Sequence, residues 1–123
     1  MNLYEGIKNN SIDNYLKTDG LDYAKEYNMK KGNLNNCKDV SEFVINNAPE
    51  SIKEYLKPIE VRLFSDSLSN KQHFVILVND NYLVDYTQKQ YLGSNNPTDT
   101  EYKRIDRIGD YFKDDKNNIT YYF

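Results

Sequence analysis

Residues 73–87, HFVILVNDNYLVDYT, read as two strands and the turn between them. Both flanks are rich in β-branched and aromatic residues, and Asn79-Asp80-Asn81 is a strong hairpin signal. Side chains alternate along a strand, so Phe74, Ile76 and Val78 share one face. His73, Val75 and Leu77 share the other. Loop length sets the register. If residues 79–81 form a three-residue loop, Val78 pairs with Tyr82 and His73 faces Thr87. Asp85 is then a diagonal neighbour of His73 on the same face of the sheet. A two-residue loop slips the register by one and turns Asp85 to the opposite face. The sequence leaves both registers open.

Upstream of this hairpin the period is helical. Residues 11–28, SIDNYLKTDGLDYAKEYN, predict one or two short helices broken near Asp19-Gly20. Ile12, Tyr15 and Leu16 lie on one face, as do Leu21, Ala24 and Tyr27. KKGNLNN, residues 30–36, reads as a loop ending in an N-cap at Asn36, with Asp39 three residues later as in a capping box. Cys37, Val40, Ser41, Val44, Ile45 and Ala48 then recur at spacings of three and four, the inner stripe of a helix ending near Asn46-Asn47. Pro49 suits the first turn of another helix, PESIKEYLK, that stops before Pro58. IEVRLFSD, residues 59–66, alternates as a strand. After the loop GSNNPTDT, residues 101–112 read as weakly helical, and NITYYF reads as a closing edge strand. The expectation is one α+β domain of papain-like type. Its N-terminal helices (about residues 1–57) pack on one face of a small antiparallel β-sheet (about residues 58–123).

A chain of 123 residues is the size of one domain, and 38% hydrophobic residues can build its core. Twelve tyrosines and no tryptophan carry most of the aromatic mass. The net charge of −3 and the dispersed basic residues give no patch that would displace counterions from phosphates, so nucleic acid is not an expected partner. No apolar run approaches the roughly 18–20 residues of a membrane span. MNLYEGIKNN lacks the apolar segment of a signal peptide. One cysteine makes no internal disulfide, and one Cys with one His is too small a set for a metal site. A reducing compartment and no cofactor are expected.

The single thiol, Cys37, stands at a predicted helix N-terminus. Unpaired backbone N–H groups and the helix dipole favour thiolate there. That dipole is worth about 0.3–1 kcal/mol, against roughly 1.36 kcal/mol per pKa unit. Activation therefore requires an imidazole, and His73 is the only one. Asp85 sits inside a strand, where aspartate is disfavoured. Taken singly, each residue has a plain structural reading: a small core cysteine, a structural histidine and a turn aspartate. Together, Cys on a helix, His on a strand and Asp on the next reproduce a nucleophile, a base and a group that orients the base.

That order resembles the papain-like cysteine hydrolases. Within them the chain is most similar to the papain-fold toxin domains of bacterial polymorphic toxins, a group linked to glutamine deamidases. The matching stretches are NNCKDVSEF, HFVILVNDNYLVD and DYTQKQY, within residues 33–91. Members of the group tend to show an aspartate, a threonine two residues on, then a glutamine followed by an aromatic. Asp85, Thr87, Gln90 and Tyr91 fit that pattern. HFVIL also resembles the peptidase domains that process bacteriocin leaders, but Tyr86 replaces the proline expected after the aspartate. The glutamine that often precedes the nucleophile in papain relatives is absent from residues 28–36. Asn33, Asn35 or Asn36 is the candidate donor to the oxyanion, beside the backbone N–H of Cys37, or each is a loop or cap asparagine. Thr87 and Gln90 are further candidates for substrate binding.

The resemblance implies a thiol-dependent amide hydrolase acting on a protein substrate through Cys37, His73 and Asp85. Glutamine deamidation, proteolysis and transglutamination all fit the same three residues. It further implies an effector delivered into a target-cell cytoplasm, with a cognate immunity protein as partner. The missing signal peptide fits a domain released from a larger secreted protein. The competing reading is a non-catalytic binding domain whose contact surface is built from Tyr82, Tyr86, Tyr91, Tyr121 and Tyr122.

Overall fold

The structure is a computed structural model. It describes residues 3–31, 37–92 and 100–123, with side chains from residue 10 to 29 in the first segment. Four helices come first: α1 Leu3–Lys17, α2 Asp19–Lys31, α3 Cys37–Asn46 and the single turn α4 Glu50–Lys53. Six strands follow: β1 Leu56–Phe64, β2 Lys71–Val78, β3 Tyr82–Val84, β4 Arg104–Ile108, β5 Tyr111–Asp114 and β6 Ile119–Tyr122. A 3-10 turn, Gln88–Tyr91, stands between β3 and β4.

The strands are antiparallel neighbours in chain order, and β6 returns to β1 to close a six-stranded barrel. This corrects the expected architecture. The helices do not cover one face of an open, papain-like sheet; they pack outside a closed barrel. The error lies in the C-terminal third. Residues 101–112, expected to be weakly helical, hold β4 and β5, with Ile108 paired to Tyr111 across a two-residue turn. Gly109 occupies that turn at φ 64°, the first central position that Gly-X hairpin turns reserve for glycine. NITYYF is not an edge. Arg62–Phe64 of β1 pair with it on one side and β5 on the other, so no row of unpaired groups is left there.

A second correction lies upstream. The helix expected over residues 49–57 is only α4, and β1 begins at Leu56. Pro58 therefore sits inside a strand, paired with Ile76. β6 reaches β1 only at residues 62–64, so Pro58 has a strand on one side alone, an edge-like place that tolerates a missing N–H.

Alternation along β2 and β3 separates two apolar clusters. Ile76, Val78, Tyr82 and Val84 point outward and pack with Ile12, Leu16, Ala24, Val40, Val44 and Ile52 of the helices. Val75, Leu77 and Leu83 point inward and meet Val61, Leu63, Ile105, Phe112 and Ile119. Each such side chain contributes on the order of 1.5–3 kcal/mol on burial. Tyrosine hydroxyls fix the helices at defined points. Tyr15 donates to the Val44 carbonyl and Tyr86 to that of Leu16, each at 2.6 Å. Gly20 opens the way for these contacts: a Cβ there would lie 3.0 Å from both the Tyr15 carbonyl and the Tyr86 hydroxyl.

Candidate active site

The β2–β3 hairpin takes the three-residue loop. Val78 pairs with Tyr82 and Ile76 with Val84. Asn79 and Asp80 adopt the left-handed region at φ 49° and 60°, and the Asn81 N–H returns to the Val78 carbonyl at 2.9 Å. Such residues tolerate that conformation better than others do. Asp85 therefore shares the inward face with His73. β3 stops at Val84, so the ladder pair between His73 and Thr87 is not formed. Instead the Asp85 N–H bonds to the Lys103 carbonyl at 2.8 Å, which sets its place against β4.

His73 and Asp85 are both sealed from solvent. Nε2 of His73 lies 2.9 Å from Oδ1 and 2.9 Å from Oδ2 of Asp85. A carboxylate only accepts, so Nε2 carries its hydrogen and Nδ1 is the nitrogen left for the thiol. Cys37, the first residue of α3, is half-buried beside it. The two groups are close enough to shift each other's proton equilibria through hydrogen bonding and charge. Their contact falls short of a well-aligned hydrogen bond, because Nδ1 is buried without a partner of good geometry.

Burial alone would push the Cys37 thiol up. Hydrogen bonding and positive charge from His73, with the backbone N–H groups of Phe74 and Lys38, outweigh it and hold the thiol below its ordinary value. Burial likewise works against a charged His73, but the Asp85 carboxylate and then Cys37 raise it to about 9. Both shifts run in the direction of a thiolate beside an imidazolium. The N-terminus of α3 adds only the modest dipole effect reasoned from the sequence.

Thr87 turns its backbone N–H onto Asp85 Oδ1 at 3.0 Å, a local Asx-type contact that fixes the carboxylate. Gln90 is half-buried, and its Nε2 is enclosed without a partner among the described residues. Asn33, Asn35 and Asn36 lie outside the described residues. Of the five tyrosines read as a contact surface, Tyr82, Tyr86 and Tyr121 are buried. Tyr91 is half-buried, its ring edge-on to His73 with centroids 4.8 Å apart. Burial, then the charges of Cys37 and Asp85, raise its phenol, so it stays protonated. A cleft of about 400 Å³ opens beside Tyr91, lined also by Ser65, Ser67, Leu92, Asn117 and Ile119.

Sequence reasoning missed a buried polar chain behind Asp85. The Tyr121 hydroxyl donates to Asp85 Oδ2 at 2.7 Å. Gln88 Nε2 donates to the Tyr121 oxygen at 3.0 Å and to Asp114 Oδ2 at 2.7 Å. Asn117 Nδ2 donates to Gln88 Oε1 at 3.2 Å and to Asp114 Oδ2 at 3.0 Å. Lys103 Nζ lies 3.3 Å from Asp114 Oδ1. Burial disfavours the Asp114 charge, but Gln88, Asn117 and Lys103 outweigh it and lower its pKa. The available signal was the alternation of NITYYF, which puts Ile119 and Tyr121 on one face. Without barrel closure, nothing in the sequence says that this face meets Asp85.

Among the described residues no three His, Cys, Asp or Glu side chains group as a metal site needs, and no helix is long and apolar enough to cross a membrane. Comparisons with protein-family models, curated proteins and solved structures give no match to this chain. The functional argument therefore rests on the site itself.

Proposed function

We propose that the chain is a cysteine-dependent amide hydrolase, with Cys37 as nucleophile, His73 as general acid and base, and Asp85 as the residue that orients His73. The observation that carries this reading is the buried His73–Asp85 pair, with both carboxylate oxygens at 2.9 Å, next to a thiol held below its ordinary pKa at the start of α3. A buried pair that only stabilised the barrel would have no need of a half-exposed thiol on the free side of the imidazole.

The favoured substrate is the side-chain amide of a glutamine in a protein. The Cys37 thiolate attacks the amide carbon, and the tetrahedral intermediate collapses as the C–N bond breaks. His73 gives its Nδ1 proton to the departing nitrogen, so ammonia leaves and a thioester remains. Water, deprotonated by the now neutral His73, attacks the thioester. Glutamate is released and the thiol is restored. The first turn of α3 supplies the backbone N–H of Cys37 to the oxyanion. The similarity of DYTQKQY to the toxin deamidases supports glutamine over a peptide bond, and with it delivery into a target cell and a cognate immunity partner.

Mass spectrometry of candidate target proteins after incubation tests this. Conversion of one glutamine to glutamate is the expected result. A new chain terminus would make the enzyme a protease, and a cross-linked amine would make it a transglutaminase. Full activity in Cys37→Ala would exclude all three.

A further inference from the structure

The chain of polar groups behind Asp85 has a defined direction, and that direction assigns a role. Asp114 is ionised and accepts only. Gln88 therefore turns Nε2 toward it, and the Asn117 Nδ2 contact on Gln88 Oε1 agrees with that orientation. The same Nε2 also points at the Tyr121 oxygen, where it can only donate. With its oxygen already accepting, Tyr121 has one place for its hydrogen: Asp85 Oδ2, 2.7 Å away. Asp85 and Asp114 are buried, Tyr121 and Gln88 are fully enclosed, and Asn117 is half-buried.

We propose that Tyr121 is a positioning residue of this site, acting through Asp85: its phenol, oriented by Gln88, takes a share of the carboxylate charge and holds the carboxylate plane so that both oxygens face Nε2 of His73. The proposal rests on the hydrolase reading for its catalytic meaning, but its physical content can be measured without turnover. Other titratable groups face His73 from the elements around it: Cys37 from α3 and Asp85 after β3, and the Tyr91 ring from the 3-10 turn. Besides His73, the donors to the Asp85 carboxylate among the described residues are the Tyr121 hydroxyl at 2.7 Å, the Thr87 N–H at 3.0 Å and, more distantly, the Thr87 hydroxyl at 3.5 Å. A donor there draws negative charge away from the imidazolium. It thus keeps His73 acidic enough to release its proton to a leaving group.

The protein has one histidine and one cysteine, so the ring-proton titration and thiol alkylation need no assignment. In Tyr121→Phe the packing of the ring is kept and the hydroxyl is lost. The expected result is a His73 titration moved to higher pH by roughly half to one pH unit, with the acid limb of thiol alkylation moved lower. Turnover at neutral pH falls about tenfold. Tyr122→Phe, at an exposed neighbour, leaves the titration unchanged. A Tyr121→Phe titration that superimposes on wild type, or moves down, overturns the proposal. If Tyr121→Phe does not fold, Gln88→Met releases the phenol while keeping it present. A smaller shift in the same direction supports the proposal, and no shift overturns it. Failure of the hydrolase reading looks different: Cys37→Ala retains full turnover, while the His73 titration still responds to Tyr121→Phe.

Discussion

The two faces of the β2–β3 hairpin solve opposite problems with the same backbone. Outward, Ile76, Val78, Tyr82 and Val84 press against the helices in a mostly apolar, non-directional contact. Inward and a few residues along, His73 and Asp85 join Tyr121 and Gln88 in a network of directed hydrogen bonds that leaves Nδ1 of His73 without a partner. The outward face needs volume and apolarity, and swaps that keep both are tolerated. The inward face needs every partner, because an unpaired polar group in a sealed barrel costs about 1–3 kcal/mol. The inward face also carries an apolar cluster around Val75, Leu77 and Leu83, so both faces stabilise the fold, while the chemistry lies on the inward face alone. Substitutions that separate stability from reactivity test that division.

The largest expected effect is on the chemical face. Asp85→Asn keeps the volume but removes the charge that raises His73 to about 9. Turnover falls roughly 100- to 10,000-fold, and the His73 titration returns toward about 6.5, while far-ultraviolet circular dichroism stays that of the folded chain. The next effect belongs to the outward face. Ile76→Ala lowers unfolding free energy by about 2–5 kcal/mol, read from urea midpoints. Its thiol alkylation profile, measured below the unfolding transition, remains that of wild type. A shifted profile would show that the two faces are coupled.

How far these faces could be read in advance depends on the range of the interaction. The parity of β2, the hairpin turn at Asn79–Asn81 and the meeting of His73 with Asp85 follow from alternation over fifteen residues, and only the loop length stood open. The α3 stripe of Val40, Val44 and Ile45 was equally legible from its spacing. Barrel closure was not. It depends on Arg62–Phe64 meeting residues 120–122, a pairing that no local pattern announces. The Gly109-Asp110 turn splits residues 101–112 into two strands, and a weakly helical reading of that stretch gives it no weight. Tyr121 and Gln88 were lost with it, because their roles exist only once β6 crosses the barrel to Asp85.

The next test is of pH and carries a sign that the pair partly hides. His73 has a folded pKa of about 9, above its unfolded value near 6.5. Its contribution to stability is complete below about pH 6.5 and is lost as pH rises through about 9. Cys37 runs the other way. Its folded pKa is lowered, so its contribution is present above the unfolded thiol value and is lost as pH falls through the folded one. Between the two unfolded values the terms oppose. Wild-type urea midpoints should therefore fall less with rising pH across that window than those of a chain without the thiol. Cys37→Ala retains only the histidine term, so its midpoint should fall with rising pH across that window. Parallel curves for the two proteins would mean that thiol and imidazole do not share a proton.

The smallest expected effect lies away from both faces and calibrates the rest. Gly109 has φ 64° in the β4–β5 turn, and a Cβ there would meet nothing within 4 Å. The cost of Gly109→Ala is therefore conformational, about 1–2 kcal/mol for a side chain in the left-handed region, with no steric contribution. β4 also carries the chain leading to Lys103, whose carbonyl holds the Asp85 N–H at 2.8 Å. If the barrel transmits strain from turn to site, Gly109→Ala will slow thiol alkylation in the folded protein as well as lower the urea midpoint. The expected result is a lower midpoint with alkylation unchanged. The interior residues Leu83 and Ile105 are paired between the turn and Asp85, and close packing there holds the carboxylate in place whatever the turn loses.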